Sequence, residues 1–281
     1  MQQQTNIKEA DVDVDEGFSI PGELWERIEP LLPAEKPQPN GGRPRMDPHK
    51  AITAIFYILR TGCQWKALPR SLGAPSTAYD YFRRWEQAGV FATLWQQGLC
   101  AYDKKKGIEW KWQSVDGCMT KAPLGGEAVG PNPTDRAKSG TKRSLLTDGA
   151  GIPLAISVDG ANRHDIKLLK NTLNGMMVER PDPDDTRQHL CLDKGYDYPD
   201  IHDLVVELGY VPHITGRGQE IIAKKTTPRY RARRWVVERS HSWLNRFRRI
   251  LTRWEKRLDR YQAFLHFACA IIVWRASGVF G

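Results

Sequence analysis

The chain has 281 residues, 40% of them hydrophobic and ten of them Trp, enough for one large or two ordinary domains with true cores, which excludes a disordered polyelectrolyte. A formal net charge of +9 and a pI near 9.3 favour nucleic acid or an anionic membrane surface as partner. No apolar run approaches the roughly 18 residues of a spanning helix. No signal peptide is read at the start, and the five scattered cysteines form no CxxC pair, so neither a disulfide framework nor a thiolate zinc site is indicated. A soluble, cytoplasmic protein is expected.

Residues 1–18 are polar and acidic and read as a mobile tail. A short amphipathic helix, ELWERIEPLL, opens a helical region that spans 19–107. The Pro/Gly-rich stretch 33–47 interrupts it as a linker or arm, and its Arg43-Pro44-Arg45 resembles basic arms that enter a minor groove. Asp47-Pro48 supplies an N-cap and a proline at the first helical position, so a helix starts there and runs to Gly62, burying Ile52, Ile55, Phe56 and Leu59. WKALPRSLG is a short helical turn, and PSTAYDYFRRWEQAG is a helix exposing Ser76, Thr77, Tyr79, Arg83 and Arg84. This is a helix-turn-helix layout, with a ligand-free three-helix bundle as the plain alternative. VFATLWQQGLCAY adds one more helix, and DKKKG marks a polar boundary near residue 108.

Beyond it the hydrophobic period changes to that of strands. EWKWQSVDG alternates and is expected to stop at Asp116-Gly117. A long Gly/Pro/Lys-rich loop covers 121–141, and two strands joined by a turn at Asp148–Gly151 follow. Then come a helix (HDIKLLKNTLNGMM), an acidic loop, an apolar strand ending at Asp193, a helix, the strand YVPHITG, an Arg-rich helix and a buried C-terminal helix. Three strands, helix, strand, helix, strand, helix is the element order of an RNase H-like mixed α/β sheet, here assigned to 108–281. The spatial strand order expected is 3-2-1-4-5.

The Arg-rich stretch Arg229–Ile250 holds eight arginines and one acid, Glu238. At 100° per residue, Val236, Ser240, Trp243, Leu244, Phe247 and Ile250 share one side, whereas Glu238 lies opposite among Arg231, Arg234, Asn245 and Arg249. Alone, Arg234 and Glu238 are also an ordinary i,i+4 ion pair. Charge favours more: between 222 and 260, fourteen Lys/Arg face three Asp/Glu, a surplus above the +9 of the whole chain. In the expected fold, Asp116 and Asp193 end neighbouring strands roughly 5 Å apart, and Glu238 completes three hard oxygen ligands for two Mg²⁺ ions. Asp159 repeats the SVDG tetrapeptide two strands away and is a decoy; Asp148 belongs to a turn, and Asp197 is a supporting candidate. His164-Asp165 is read as a helix cap, His189 and Cys191 as an incomplete zinc set, and His241 as a surface residue.

These residues carry a family resemblance. WERIEPLLP, GGRPRMDPHKAITAIFYILRTGCQWKALP, SVDG, GPNPTDRAKSGTKRSLLTDGAGIPLA, LDKGYD and VERSHSWLNRFRRI occur in collinear order over about 22–275, and the chain resembles the DDE transposases of bacterial insertion sequences, IS five group. The resemblance implies a DNA strand-transfer enzyme with Asp116, Asp193 and Glu238 as catalytic triad and Mg²⁺ (or Mn²⁺) as cofactor, with no nucleotide cofactor. Their spacings of 77 and 45 residues leave no room for a large insertion before Glu238. In the family signature around the glutamate, Arg234 and Glu238 match. Arg231 stands at the Tyr position with Tyr230 one place early, and Asn245 stands at the Lys position beside Arg246. Arg246 or Arg249 is the expected substitute for phosphate contact.

The implied partners are double-stranded DNA (terminal inverted repeats bound by the helical domain, and target DNA) and a second copy of the chain, in a nucleoid-associated dimer or larger assembly without membrane contact. Lys121, Lys138, Lys142 and Arg143 are candidates for backbone contacts. The rivals are a catalytically silent DNA-binding derivative and a nuclease of the same fold without strand transfer.

Overall fold

The computed structural model describes residues 16–35, 44–214, 225 and 233–280. Arg43 and Arg231 lie outside the described residues, as does nearly all of the acidic tail.

Helix α1 (Gly22–Ile28) buries Leu24 and Ile28 and passes into a 3-10 turn at Pro30, which cannot continue the hydrogen-bond ladder. Helix α2 (Pro48–Thr61) begins where Asp47 accepts the Lys50 N–H and ends at Gly62, whose φ of +70° gives the left-handed cap glycine tolerates best. Two 3-10 turns, Trp65–Ala67 and Arg70–Leu72, lead to α3 (Pro75–Gln87), and α4 (Val90–Lys106) follows after Gly89. The short helix expected between α2 and α3 is thus a pair of single turns.

The sheet is built from β1 (Trp112–Lys121), the two-residue β2 (Gly130–Pro131), β3 (Ser139–Thr147), β4 (Pro153–Gly160), β5 (Gln188–Leu192) and β6 (Tyr210–Ile214). Strand β3 lies between β4 and β1, antiparallel to both, and β1 continues parallel to β5 and then β6. Leaving aside β2, the order is the expected 3-2-1-4-5. Helix α5 (Asp165–Asn174) packs on β3 and β4, and α6 (Pro199–Glu207) packs on β6.

Two element boundaries differ from expectation. Strand β1 continues through Gly117 to Lys121, because Cys118, Met119 and Thr120 pair with Arg143, Lys142 and Thr141 of β3. Asp116 is therefore a mid-strand residue. The Arg-rich stretch is two helices, α7 (Trp235–Leu244) and α8 (Arg248–Leu251), broken at Phe247, whose φ of −88° and ψ of 97° are extended. The break lets Leu244, Phe247 and Ile250 all reach the core.

Helix α9 (Leu258–Ala276) is buried on most sides, and its partner is α4: Trp274 donates its indole N–H to the Leu94 carbonyl at 3.0 Å, over Gly98. Trp95 of α4 in turn reaches the Pro153 carbonyl of β4 at 3.1 Å. The helical region and the sheet region meet at Gly107 but share one continuous core.

Candidate active site

Strand register brings the first two acids together. Ser114 is level with Cys191, the last pair of the parallel β1–β5 ladder, so Asp116 and Asp193 each follow two residues on, just past the end of the paired segment. Asp193 follows the last residue of β5 and caps a 3-10 turn, its Oδ1 accepting the Gly195 N–H at 2.8 Å. Helix α7 lies across β1 and β3 on the same face. It is held there by buried Val236, Val237, Ser240 and Leu244, with Ser240 Oγ donating to the Gly151 carbonyl at 2.6 Å. Glu238 is exposed on its outer side.

Arg234 joins the acids. Its guanidinium lies 3.9 Å from Asp193 Oδ2 and 3.7 Å from Glu238 Oε1. Burial, then repulsion from Asp193 and Glu238, push the Asp116 carboxyl up to about 6, against the opposing pull of the Gly117 N–H and Arg234. Among the described residues, the Arg234 guanidinium lies within 4 Å of two of these three hard oxygen donors. Among the described residues no three ligating side chains already close on a common point, since Arg234 stands between two of them. The donor chemistry nonetheless fits a hard divalent cation, which would supply the positive charge that Asp116 lacks.

Behind the site, several polar residues take unexpected places. His241 is buried, not on the surface: its Nε2 lies 3.2 Å from the Asp116 carbonyl. Burial, followed by the Arg143 charge, pushes its imidazole down to about 3, so it is neutral at physiological pH. Arg143 sits in β3, fully buried, donating to Asn245 Oδ1 at 2.8 Å and to Cys118 Sγ at 3.6 Å. Lys142, also in β3, is 6% exposed and is paired with Asp165. Arg249 is buried against Glu255 at 2.6 Å. Lys142, Arg143 and Arg249 therefore have no face for DNA, and Asn245 is occupied by Arg143. The nine residues of β3 give no alternation from which such burial could be read.

Other candidates keep accessible positions. Lys121, Lys138 and Arg246 are exposed, Lys121 facing Asp135 at 3.6 Å. On α3, Ser76 is exposed and Thr77, Arg83 and Arg84 are half-buried; Arg84 pairs with Glu35 at 3.2 Å, and Arg45 pairs with the same carboxylate. Tyr79 is turned inward, edge-on to Trp65 and beneath Arg260. Asp159 lies on β4 opposite Lys142 and pairs with Arg163, away from the site. Asp148 caps its turn, accepting the Ala150, Ile152 and Glu109 N–H groups. Asp197 pairs with His202, and His189 meets His213 at 2.7 Å.

Comparison with known proteins adds the family. Residues 20–95 match a family described as "Putative transposase of IS4/5 family", and residues 112–273 match "Transposase DDE domain". A Burkholderia cepacia protein described as "Putative transposase for insertion sequence element IS402" is 36% identical over 161 residues, 52% of this chain and 68% of that one. A second protein of the same organism, "Insertion element IS402 uncharacterized 16.2 kDa protein", is 35% identical over 118 residues, covering 41% and 80%. The catalytic domain of the Mos1 mariner transposase aligns at 12% identity over 71% of this chain and 96% of that one, with a TM-score of 0.28, too low to carry weight. With the DDE-domain match spanning more than half of its length, this chain belongs to the DDE transposases, its helical region being similar to the IS4/5 family.

Proposed function

We propose that this transposase binds the ends of its insertion sequence through α3 and the arm around Arg45, cleaves there, and joins the freed ends to target DNA. Asp116, Asp193 and Glu238 are the catalytic acids. The observation that supports this reading is the β1–β5 register, in which Asp116 and Asp193 each lie two residues beyond the paired Ser114 and Cys191, while the helix that bears Glu238 packs on β1. The three acids would hold two Mg²⁺ ions, with Mn²⁺ as a substitute, which would lower the pKa of an attacking water and neutralise charge on the leaving oxygen.

The chain's own residues do the rest. Arg234 holds Asp193 and Glu238 in reach of one another. Neutral His241 fixes the Asp116 backbone without adding charge. Exposed Lys121, Lys138 and Arg246 are cations accessible to phosphates along the bound DNA. In the first step water attacks the phosphorus at the element end, the P–O3′ bond breaks, and the element keeps its 3′-OH. That hydroxyl then attacks a target phosphodiester, which releases a target 3′-OH, so bonds balance without a covalent protein intermediate. Two ends must be held at once, which calls for a dimer or larger assembly on DNA.

The test is an assay with DNA flanking the gene, Mg²⁺, a plasmid target and purified protein, wild type beside Asp193→Asn. Nicking at the 3′ ends and strand joining that vanish in the variant are expected. Nicking without joined products indicates a nuclease instead, and binding without cleavage in either protein indicates a silent DNA-binding derivative.

A further inference from the structure

Directly behind Asp116, on the face of the sheet away from Glu238, another carboxylate presses on β1. Asp165 is the first residue of α5, and its Oδ2 accepts from Lys142 Nζ at 3.1 Å, while the same ammonium donates to the Arg163 carbonyl at 2.7 Å. Its Oδ1 is buried without a hydrogen-bond partner among the described residues. That oxygen lies so near Gly117 that a Cβ there would stand 2.0 Å from it. Gly117 has no positive φ, so glycine is needed here for close approach and not for backbone freedom.

The turn after Asp193 reaches the same spot. Tyr196 is buried, and the Ser144 hydroxyl faces its phenol without closing an ordinary hydrogen bond. Ser144 is the cross-strand partner of Gly117. Burial, then the charges of Asp165, Asp116 and Asp193, push the Tyr196 phenol up.

We propose that Asp165, neutralised by Lys142, is a positioning residue for Asp116: it braces the Asp116–Gly117 segment from behind, across the strand from the site. The inference rests on the reading of Asp116 and Asp193 as metal-holding acids. The physical need is clear, because two carboxylates on adjacent strands repel, and a metal site tolerates only small displacements. Lys142 lets a further carboxylate stand behind Asp116 without adding net repulsion.

The test is direct titration of Mn²⁺ onto the full-length protein, followed by electron paramagnetic resonance, with DNA binding and thermal melting measured on the same samples. Asp165→Asn and Asp165→Ala are expected to weaken Mn²⁺ binding roughly tenfold or more, at unchanged DNA affinity. Gly117→Ala should give a similar loss by displacing Asp165, and Asp165→Ala added to it should cost little more, since the clash is then gone. Wild-type Mn²⁺ affinity in Asp165→Ala overturns the proposal; should that variant not fold, wild-type affinity in the isosteric Asp165→Asn does so. Asp193→Asn serves as control, since unchanged Mn²⁺ binding there strikes at the assignment of the acids and not at Asp165.

Discussion

Arg249 offers a sharp test of how this fold spends its arginines. Its guanidinium meets Glu255 through Nη2 at 2.6 Å and through Nε at 2.7 Å, with side chains only 6% and 5% exposed. A third bond, 2.9 Å to the Cys63 carbonyl, ties α8 to the segment just past α2. Removing one partner of a buried pair leaves the other charge uncompensated, which costs about 3–5 kcal/mol. With about 2–4 °C per kcal/mol for a domain of this size class, Arg249→Ala or Glu255→Ala should lower Tm by roughly 6–20 °C. The double variant Arg249→Met with Glu255→Leu should recover much of that loss, because neither charge is then buried alone. Thermal melts followed by circular dichroism, with end-DNA binding measured well below the transition, check both parts. An Arg249→Ala protein that melts like wild type but loses DNA affinity would refute the reasoning and return Arg249 to the DNA surface.

Salt and pH extend the tests. Exposed Arg246 should contribute about one phosphate contact, so Arg246→Ala is expected to reduce the slope of log affinity against log salt by about one, whereas buried Arg143 offers no such contact. An unchanged slope would remove Arg246 from the interface. His241, held at about 3 in the fold against about 6.5 when unfolded, binds its proton more readily in the unfolded chain. Its contribution is therefore nil above pH 6.5 and increasingly destabilising as pH falls from there toward 3. Between pH 7 and 5 it should account for about 2 kcal/mol of lost stability, so urea unfolding of His241→Gln should show a pH slope flatter by that amount. Equal slopes in the two proteins would contradict the buried, neutral imidazole.

Much of the architecture was legible because local chemistry states it. Asp47-Pro48 marks the start of α2 by a cap and a missing N–H, and Gly62 marks its end. The apolar run before Asp193 and the Asp148 turn likewise declare themselves, as capping and turn hydrogen bonds are satisfied within a few residues. The end of β1 was not legible: Asp116-Gly117 looks like a turn, yet Gly117 is where Asp165 approaches, a demand that comes from 48 residues away in the chain.

The candidate site divides in the same way. From the sequence alone came the element order, the concentration of arginines around one glutamate, and the three acids proposed for catalysis. Tertiary structure decided which polar residues accompany them. A helical or strand period tells which face a residue occupies, but burial depends on what a distant element lays over that face. Arg143 and Lys142 look like loop cations until β1 and β4 flank their strand and Asn245 and Asp165 close over its two faces. Arg249 looks like a DNA contact until the break at Phe247 turns α8 inward toward Glu255. His241 looks like a surface residue until α7 is laid across the sheet. Local hydrogen bonds fix the elements; only the long-range packing, through desolvation, fixes which charges stay in water to meet DNA.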